Sequence, residues 1–221
     1  MNERPQAPGR IDVAAIARSE RFAAGINALA RELGRSEAEL RSEALAFLNE
    51  LRTAHSPRVH SWVVRAGRAL CRMGYERIDY DPEQLAVVRP LMQRCPSVVL
   101  ASHRSYLDGG ALTVGFHDHF LPPLVVFAGI NMAFWPVGSI WRLANNVFIR
   151  RGSAGPVYKF VLRHYLGALL EGDRHLQWVI EGTRSRTGRL GRPRLGLLVY
   201  LLEAGLEGHA DDLVLLPTSV A

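Results

Sequence analysis

Lysine is almost absent from this sequence. Lys159 is the only lysine among the 27 lysine and arginine residues, and the net charge is +6. An arginine-rich surface favours recognition of phosphate groups or of an anionic membrane, because the guanidinium group offers a planar fork of donors. A GC-rich genome produces the same bias, so composition alone does not choose between these explanations.

Cysteine is scarce and an export signal is missing. The two cysteines, Cys71 and Cys95, have no metal-type spacing and form no disulfide framework, which fits a reduced cytosolic compartment. Residues 1–10 are polar, contain two prolines and lack an apolar stretch of the secretory kind. We therefore expect a flexible N-terminus and a cytoplasmic location.

No uninterrupted apolar run of membrane-spanning quality is present. Residues 120–141 carry no charge and are long enough to span a bilayer, but Pro122, Pro123 and Pro136 would break one continuous helix. We predict a buried strand at 124–128, followed by an apolar and aromatic loop that could contact a membrane surface.

Several familiar catalytic signatures are also missing. Residues 152–155 read Gly-Ser-Ala-Gly, which has the wrong spacing for a nucleophile elbow, and neither a Walker loop nor a G-x-G-x-x-G occurs. The His-Asp-His run at 117–119 is interpreted as a solvated loop, so no metal site is predicted. The arginines gather at strand ends instead of alternating with aromatic residues, so we expect no nucleic-acid binding.

Apolar periodicity divides the chain into a helical region at 11–90 and an α/β domain at 91–221. Helices are predicted at 11–30, 36–54, 59–73, 156–170 and within 191–204. Strands are predicted at 97–101, 124–128, 146–150, 176–180 and 213–217. Strands alternating with helices indicate a mostly parallel central sheet flanked by helices. Because the sequence stops inside an apolar run, we expect the domain to continue past residue 221.

A histidine and an aspartate five residues apart follow the first predicted strand. His103 lies where the strand should end, and ligands of α/β sheets bind beyond the carboxyl ends of strands. If a helix begins near Ser105, Asp108 lies in its first turn and could fix one imidazole nitrogen, leaving the other as a base. A helix-capping aspartate beside a solvated histidine is the alternative.

Arginines follow two further strands. Glu181 is followed by Arg184, Arg186 and Arg189 after one strand, and the pair at 150–151 follows another. The carboxyl ends of parallel strands lie at one edge of a sheet. A base and several arginines at that edge favour a phosphate-bearing substrate from which a proton is removed.

These segments together resemble the glycerol-3-phosphate acyltransferases of the bacterial PlsB type. The four sequence blocks of that family occur in order at 102–108 (SHRSYLD), 148–151 (FIRR), 181–190 (EGTRSRTGRL) and 216–217 (LP). The residues at 128–131 and 134–136 also resemble that type. One departure is Asn145, which stands where a glycine usually opens the second block.

The resemblance implies transfer of an acyl group from acyl-CoA or acyl-ACP to the 1-hydroxyl of glycerol 3-phosphate. This is the first step of phospholipid synthesis, needs no cofactor, and places the protein at the inner face of the cell membrane. His103 would act as the base, held by Asp108, and apolar residues after Leu121 would receive the acyl chain. The implied substrate-binding residues are Arg104, Arg150, Arg151, Glu181, Gly182, Thr183, Arg184, Ser185 and Arg186.

Two alternatives stay open beside this interpretation. The acceptor could instead be lysophosphatidate or dihydroxyacetone phosphate, although the arginine-rich extension of the third block favours glycerol 3-phosphate. The chain could also be an inactive fragment that binds lipid or phosphate without turnover.

Overall fold

The computed structural model describes residues 10–105, 107–150, 152, 154–185 and 187–220, so nearly all of the predicted flexible N-terminus lies outside the described residues. The helices in the described part of the chain are α1 (Val13–Arg18), α2 (Glu20–Leu33), α3 (Glu37–Leu51), α4 (Pro57–Gly74), α5 (Pro82–Arg94), α6 (Asp108–Asp118), α7 (Val137–Leu143), α8 (Gly155–Glu171) and α9 (Gly196–Ala204). A 3-10 helix (Ile130–Met132) and one π-helical turn (Gly205–His209) complete the helical elements.

The centre of the fold is a five-stranded sheet in which every neighbouring pair of strands is parallel. The strands are β1 (Ser97–Ala101), β2 (Leu124–Gly129), β3 (Asn146–Ile149), β4 (His175–Val179) and β5 (Val214–Thr218), in the spatial order β3-β2-β4-β1-β5. The predicted α/β class with a parallel sheet is confirmed. All five strands therefore end at the same edge.

One face of the sheet is covered by α1, α2, α3, α8 and α9, which share the main apolar core with it. Val125, Phe127, Leu176 and Trp178 alternate along β2 and β4 and point into this core. The helix predicted at 11–30 is in fact two helices, because the backbone of Ser19 is extended. Its hydroxyl accepts a hydrogen bond from the amide of Phe22 and so begins α2.

The other face of the sheet is covered by α4, α5, α6 and α7. Helices α4 and α6 approach closely at Gly67 and Gly110, where a Cβ on Gly67 would lie 3.8 Å from the Cα of Gly110. Helix α5 was not predicted from the sequence. It contains Pro90 and continues to Arg94, so the helical region extends past residue 90.

The turn before β3 explains how Asn145 replaces a glycine. Its φ is +70°, in the left-handed region that favours glycine and that asparagine tolerates best among other residues. The buried side-chain amide donates to the carbonyl of Leu124 at 2.9 Å. Asparagine therefore keeps the turn and adds a hydrogen bond to the start of β2.

Residues 120–141 fold as strand β2, the 3-10 helix and α7. The predicted strand is confirmed, whereas the predicted loop contains short helices. None of the helices in the described ranges combines the length and apolar character that crossing a bilayer requires.

Candidate active site

His103 and Asp108 lie together beyond the carboxyl end of β1. The Nδ1 atom of His103 is 3.5 Å from Oδ2 of Asp108, and the side chain of Asp108 is only 6% exposed. This distance is long for a hydrogen bond, as is common for catalytic contacts when no substrate is bound. With Nδ1 directed at the carboxylate, the neutral ring carries its proton there and Nε2 is the basic nitrogen.

The carboxylate of Asp108 is held from three sides. Its Oδ2 accepts hydrogen bonds from the amides of Arg104 and Ser105 at 2.7 and 2.8 Å, and Oδ1 accepts one from the hydroxyl of Tyr75 at 3.3 Å. Burial raises the pKa of Tyr75, so its hydroxyl keeps the proton that it donates. Asp108 also begins α6, whose N-terminal dipole favours a negative charge. The carboxylate is therefore fixed in position.

Glu181 joins the segment after β4 to the segment after β1. Its Oε1 accepts from the amide of His103 at 3.4 Å and its Oε2 from the amide of Gly191 at 2.6 Å. The amide of Ser185 in turn donates to the carbonyl of His103 at 2.8 Å. Glu181 thus positions the backbone next to His103, while its predicted role in substrate binding stays a prediction.

Residues 181–195, here called the arginine loop, contain no acidic residue after Glu181. Gly182 has a φ of +71°, and a Cβ there would lie 2.7 Å from Cδ of Arg194. The missing side chain lets the stem of Arg194 lie directly on the loop beside Glu181. Thr183 and Arg184 are exposed on the same loop.

Among the described residues, several guanidinium groups near this edge have no acidic partner. Within the described part of the chain, no carboxylate lies within ion-pair distance of Arg104, Arg189, Arg192 or Arg194. Unneutralised guanidinium groups on one loop create a positive potential that attracts phosphate. Arg151 and Arg186 lie outside the described residues.

Arg150 is engaged elsewhere. Its guanidinium makes a two-pronged contact with Glu50 of α3, at 2.8 and 2.6 Å, and lies over the ring of Phe47. This hydrogen bonding raises the pKa of Arg150. β3 stands three strand spacings, about 14 Å, from β1. The structure therefore does not bring Arg150 to His103, and a role in phosphate binding would require the ion pair with Glu50 to open.

A largely apolar cavity of about 710 Å³ lies between the sheet and helices α4, α6 and α7. Its walls come from alternate residues of β2 and β3, from the inner side of α4, and from Leu107 and Gly109, which flank Asp108 in sequence. Burial, and secondarily Arg174, lowers the pKa of His55 in the wall, so that ring is neutral at neutral pH. The cavity suits an apolar ligand, and Leu107 and Gly109 place part of its wall next to Asp108 in the chain.

Three features of the site were missed in the sequence. Tyr75 lies in the helical region and carries no local signal of its contact with Asp108. Arg192 and Arg194 continue the arginine-rich stretch and could have been found by extending it. Gly109 was passed over because only the fold shows that it lines the cavity.

Comparisons with known proteins identify the family of the chain. The family model described as Acyltransferase matches residues 82–221. The chain is 34% identical over 219 residues to the "Putative acyltransferase plsB1" of Mycobacterium tuberculosis (strain H37Rv), covering 98% of this chain and 35% of that relative. It is 34% identical over 187 residues to the "Glycerol-3-phosphate acyltransferase" of Colwellia psychrerythraea, covering 82% of this chain and 22% of that relative.

The chain thus spans about a third or less of the length of these curated relatives. The family match nevertheless includes β1, His103, Asp108 and the whole arginine loop. The chain belongs to the acyltransferase family.

Proposed function

We propose that this chain carries the catalytic site of a glycerol-3-phosphate 1-O-acyltransferase that uses acyl-CoA or acyl-ACP. The observation that supports this most is the direct contact between the arginine loop and the histidine, in which the amide of Ser185 donates to the carbonyl of His103 at 2.8 Å. A base and a phosphate-binding surface lie side by side, as deprotonation of a phosphorylated alcohol requires.

The reaction follows from these positions. Nε2 of His103 removes the proton of the 1-hydroxyl of glycerol 3-phosphate while that oxygen attacks the thioester carbonyl. Asp108 stabilises the resulting imidazolium. The carbon–sulfur bond then breaks, and the imidazolium returns the proton to the leaving thiolate. A thiolate leaves readily, so no covalent acyl-enzyme is needed.

The two substrates have separate places in this scheme. Arg104, Arg184 and Arg194 bind the phosphate of the acceptor, since charge-assisted hydrogen bonds to phosphate are the strong ones. The apolar cavity receives the acyl chain. A methylene group occupies about as much volume as a water molecule, so a 16-carbon chain needs about 500 Å³, which the cavity of about 710 Å³ provides.

The acceptor is tested with the purified chain, a palmitoyl thioester and three acceptors: glycerol 3-phosphate, dihydroxyacetone phosphate and lysophosphatidate. Thiol release and product mass are measured together. We expect transfer to glycerol 3-phosphate at least about tenfold faster than to the others, because the loop binds phosphate while the site deprotonates a small alcohol. Faster transfer to lysophosphatidate or dihydroxyacetone phosphate contradicts the assigned acceptor, and binding without transfer supports the non-catalytic alternative.

The proposed site also has a surface suited to a membrane. Trp62 on α4 is 54% exposed and lines the cavity, while Met73 and Trp135 are each 85% exposed. Arg58, Arg65 and Arg72 recur every seven residues on α4, and their exposed side chains lie beside those of Trp62 and Met73. Helix α4 has no acidic residue. Tryptophan next to arginine is typical of helices that lie in the interface of anionic bilayers. Membrane contact here would bring the acyl chain to the cavity.

Vesicle sedimentation tests this attachment. The double change Trp62→Ser and Trp135→Ser should weaken binding to vesicles of phosphatidylglycerol and phosphatidylcholine by at least about tenfold, because two large apolar contacts are lost. Leu206→Ser is the matched control, since Leu206 is 90% exposed on the π-helical turn. Equal binding of the double variant and the control contradicts the attachment through α4.

A further inference from the structure

The first turn of α6 separates the candidate catalytic residues from the apolar cavity. The carboxylate of Asp108 is bonded to the amides of Arg104 and Ser105, on the side of His103. Its neighbours Leu107 and Gly109 line the cavity. An acyl chain that extends from a thioester carbonyl at His103 into the cavity must therefore pass this turn.

Gly109 has no structural reason to be glycine. Its backbone does not adopt a positive φ, and a Cβ there would meet no atom within 4 Å. The adjacent Gly110 differs, because a Cβ there would contact Sγ of Cys71 at 3.6 Å and the Cα of Gly67 at 4.0 Å. Glycine destabilises a helix relative to alanine. At Gly109 the fold gains no close contact in return.

Gly109 lies on the wall of the cavity, with open space beside it. Gly109 is exposed to solvent and also lines the cavity, a combination shared with Trp62 and Leu70 of α4. A side chain at position 109 would occupy this open space. Glycine at position 109 destabilises the helix, and this loss of stability is explained if the acyl chain needs the space that a side chain would fill.

We infer that Gly109 determines the acyl-chain specificity of the enzyme: its missing side chain leaves the opening through which a long chain enters the cavity from His103. The inference rests on the proposed function and adds the residue that permits long chains. A short acyl group ends before the opening and does not depend on it. A larger residue at position 109 therefore shifts the preference towards short chains.

The test compares palmitoyl and hexanoyl thioesters with the unsubstituted chain, Gly109→Ala and Gly109→Leu. In Gly109→Leu the ratio of kcat/KM for palmitoyl to that for hexanoyl should fall at least about tenfold. Gly109→Ala should shift the ratio in the same direction by a smaller factor. The matched control is Gly196→Leu, because Gly196 begins α9, also has no atom within 4 Å of its Cβ, and does not line the cavity.

An unchanged ratio in Gly109→Leu overturns the inference and leaves the proposed function intact. An equal loss with both thioesters also overturns it, because such a loss would come from damage to the His103–Asp108 contact. If the unsubstituted chain transfers neither acyl group, the proposed function fails. Fluorescence titration with cis-parinaric acid then tests the opening alone. Weaker binding of cis-parinaric acid by Gly109→Leu but not by Gly196→Leu supports the opening at Gly109. Equal binding by the two variants contradicts this opening.

Discussion

His103→Ala is expected to lower kcat by about 10²–10⁴, the contribution that a positioned general base makes to such a reaction. The alanine leaves the arginine loop and the apolar cavity in place, so the KM values for both substrates should change little. The measurement is thiol release from palmitoyl-CoA in the presence of saturating glycerol 3-phosphate. A kcat within about threefold of the unsubstituted chain would remove His103 from the mechanism.

Asp108→Asn should produce a loss of similar order for a related reason. An asparagine occupies the same volume but carries no charge to stabilise the imidazolium. The matched control is Asp118→Asn at the other end of α6, where Asp118 lies 3.0 Å from Nδ1 of His117. The control removes the carboxylate contacts with His117 and Arg68 at the opposite end of the helix from His103. If Asp118→Asn lowers turnover as much as Asp108→Asn, the effect reflects a general loss of stability.

Removing arginines of the loop is expected to act on the acceptor instead of on the chemical step. Arg184→Ala and Arg194→Ala should each raise the KM for glycerol 3-phosphate by about 10- to 100-fold, the equivalent of one hydrogen bond to a charged group. The KM for the acyl thioester should stay within about threefold. Arg31→Ala, an exposed change on α2 across the sheet, is the control for loss of positive charge. Equal effects on both substrates would count against a phosphate role for the loop.

Arg150→Ala separates the two roles proposed for that residue. If Arg150 chiefly binds α3 through Glu50, the change should cost about 1 kcal/mol of stability and lower Tm by about 2–4 °C, with no change in the acceptor's KM. If the ion pair opens to bind phosphate, the KM should rise as it does for Arg184. Thermal unfolding and acceptor kinetics on the same variant decide between these outcomes.

Local patterns were sufficient for most of the secondary structure. The five strands were predicted because each is a short β-branched run bounded by polar residues, and helix α8 because its apolar residues recur at helical spacing. The break at Ser19 was missed, since apolar residues continue on both sides of it and only the extended backbone of Ser19 separates the two helices. Helix α5 was missed because Pro90 reads as a breaker, although it lies within the last turns of the helix.

The sequence by itself determined the α/β class, the His103–Asp108 spacing and the concentration of arginines after β4, because these depend on residues close together in the chain. The tertiary structure alone decided which distant residues meet. Tyr75 reaches Asp108 across 33 positions, and Glu50 pairs with Arg150 across 100. Local periodicity does not encode the strand order β3-β2-β4-β1-β5, and that order places the arginine loop beside His103 while it leaves Arg150 at the edge of the sheet. The cavity has the same origin, since its walls come from separate elements that only the packed sheet and helices bring together.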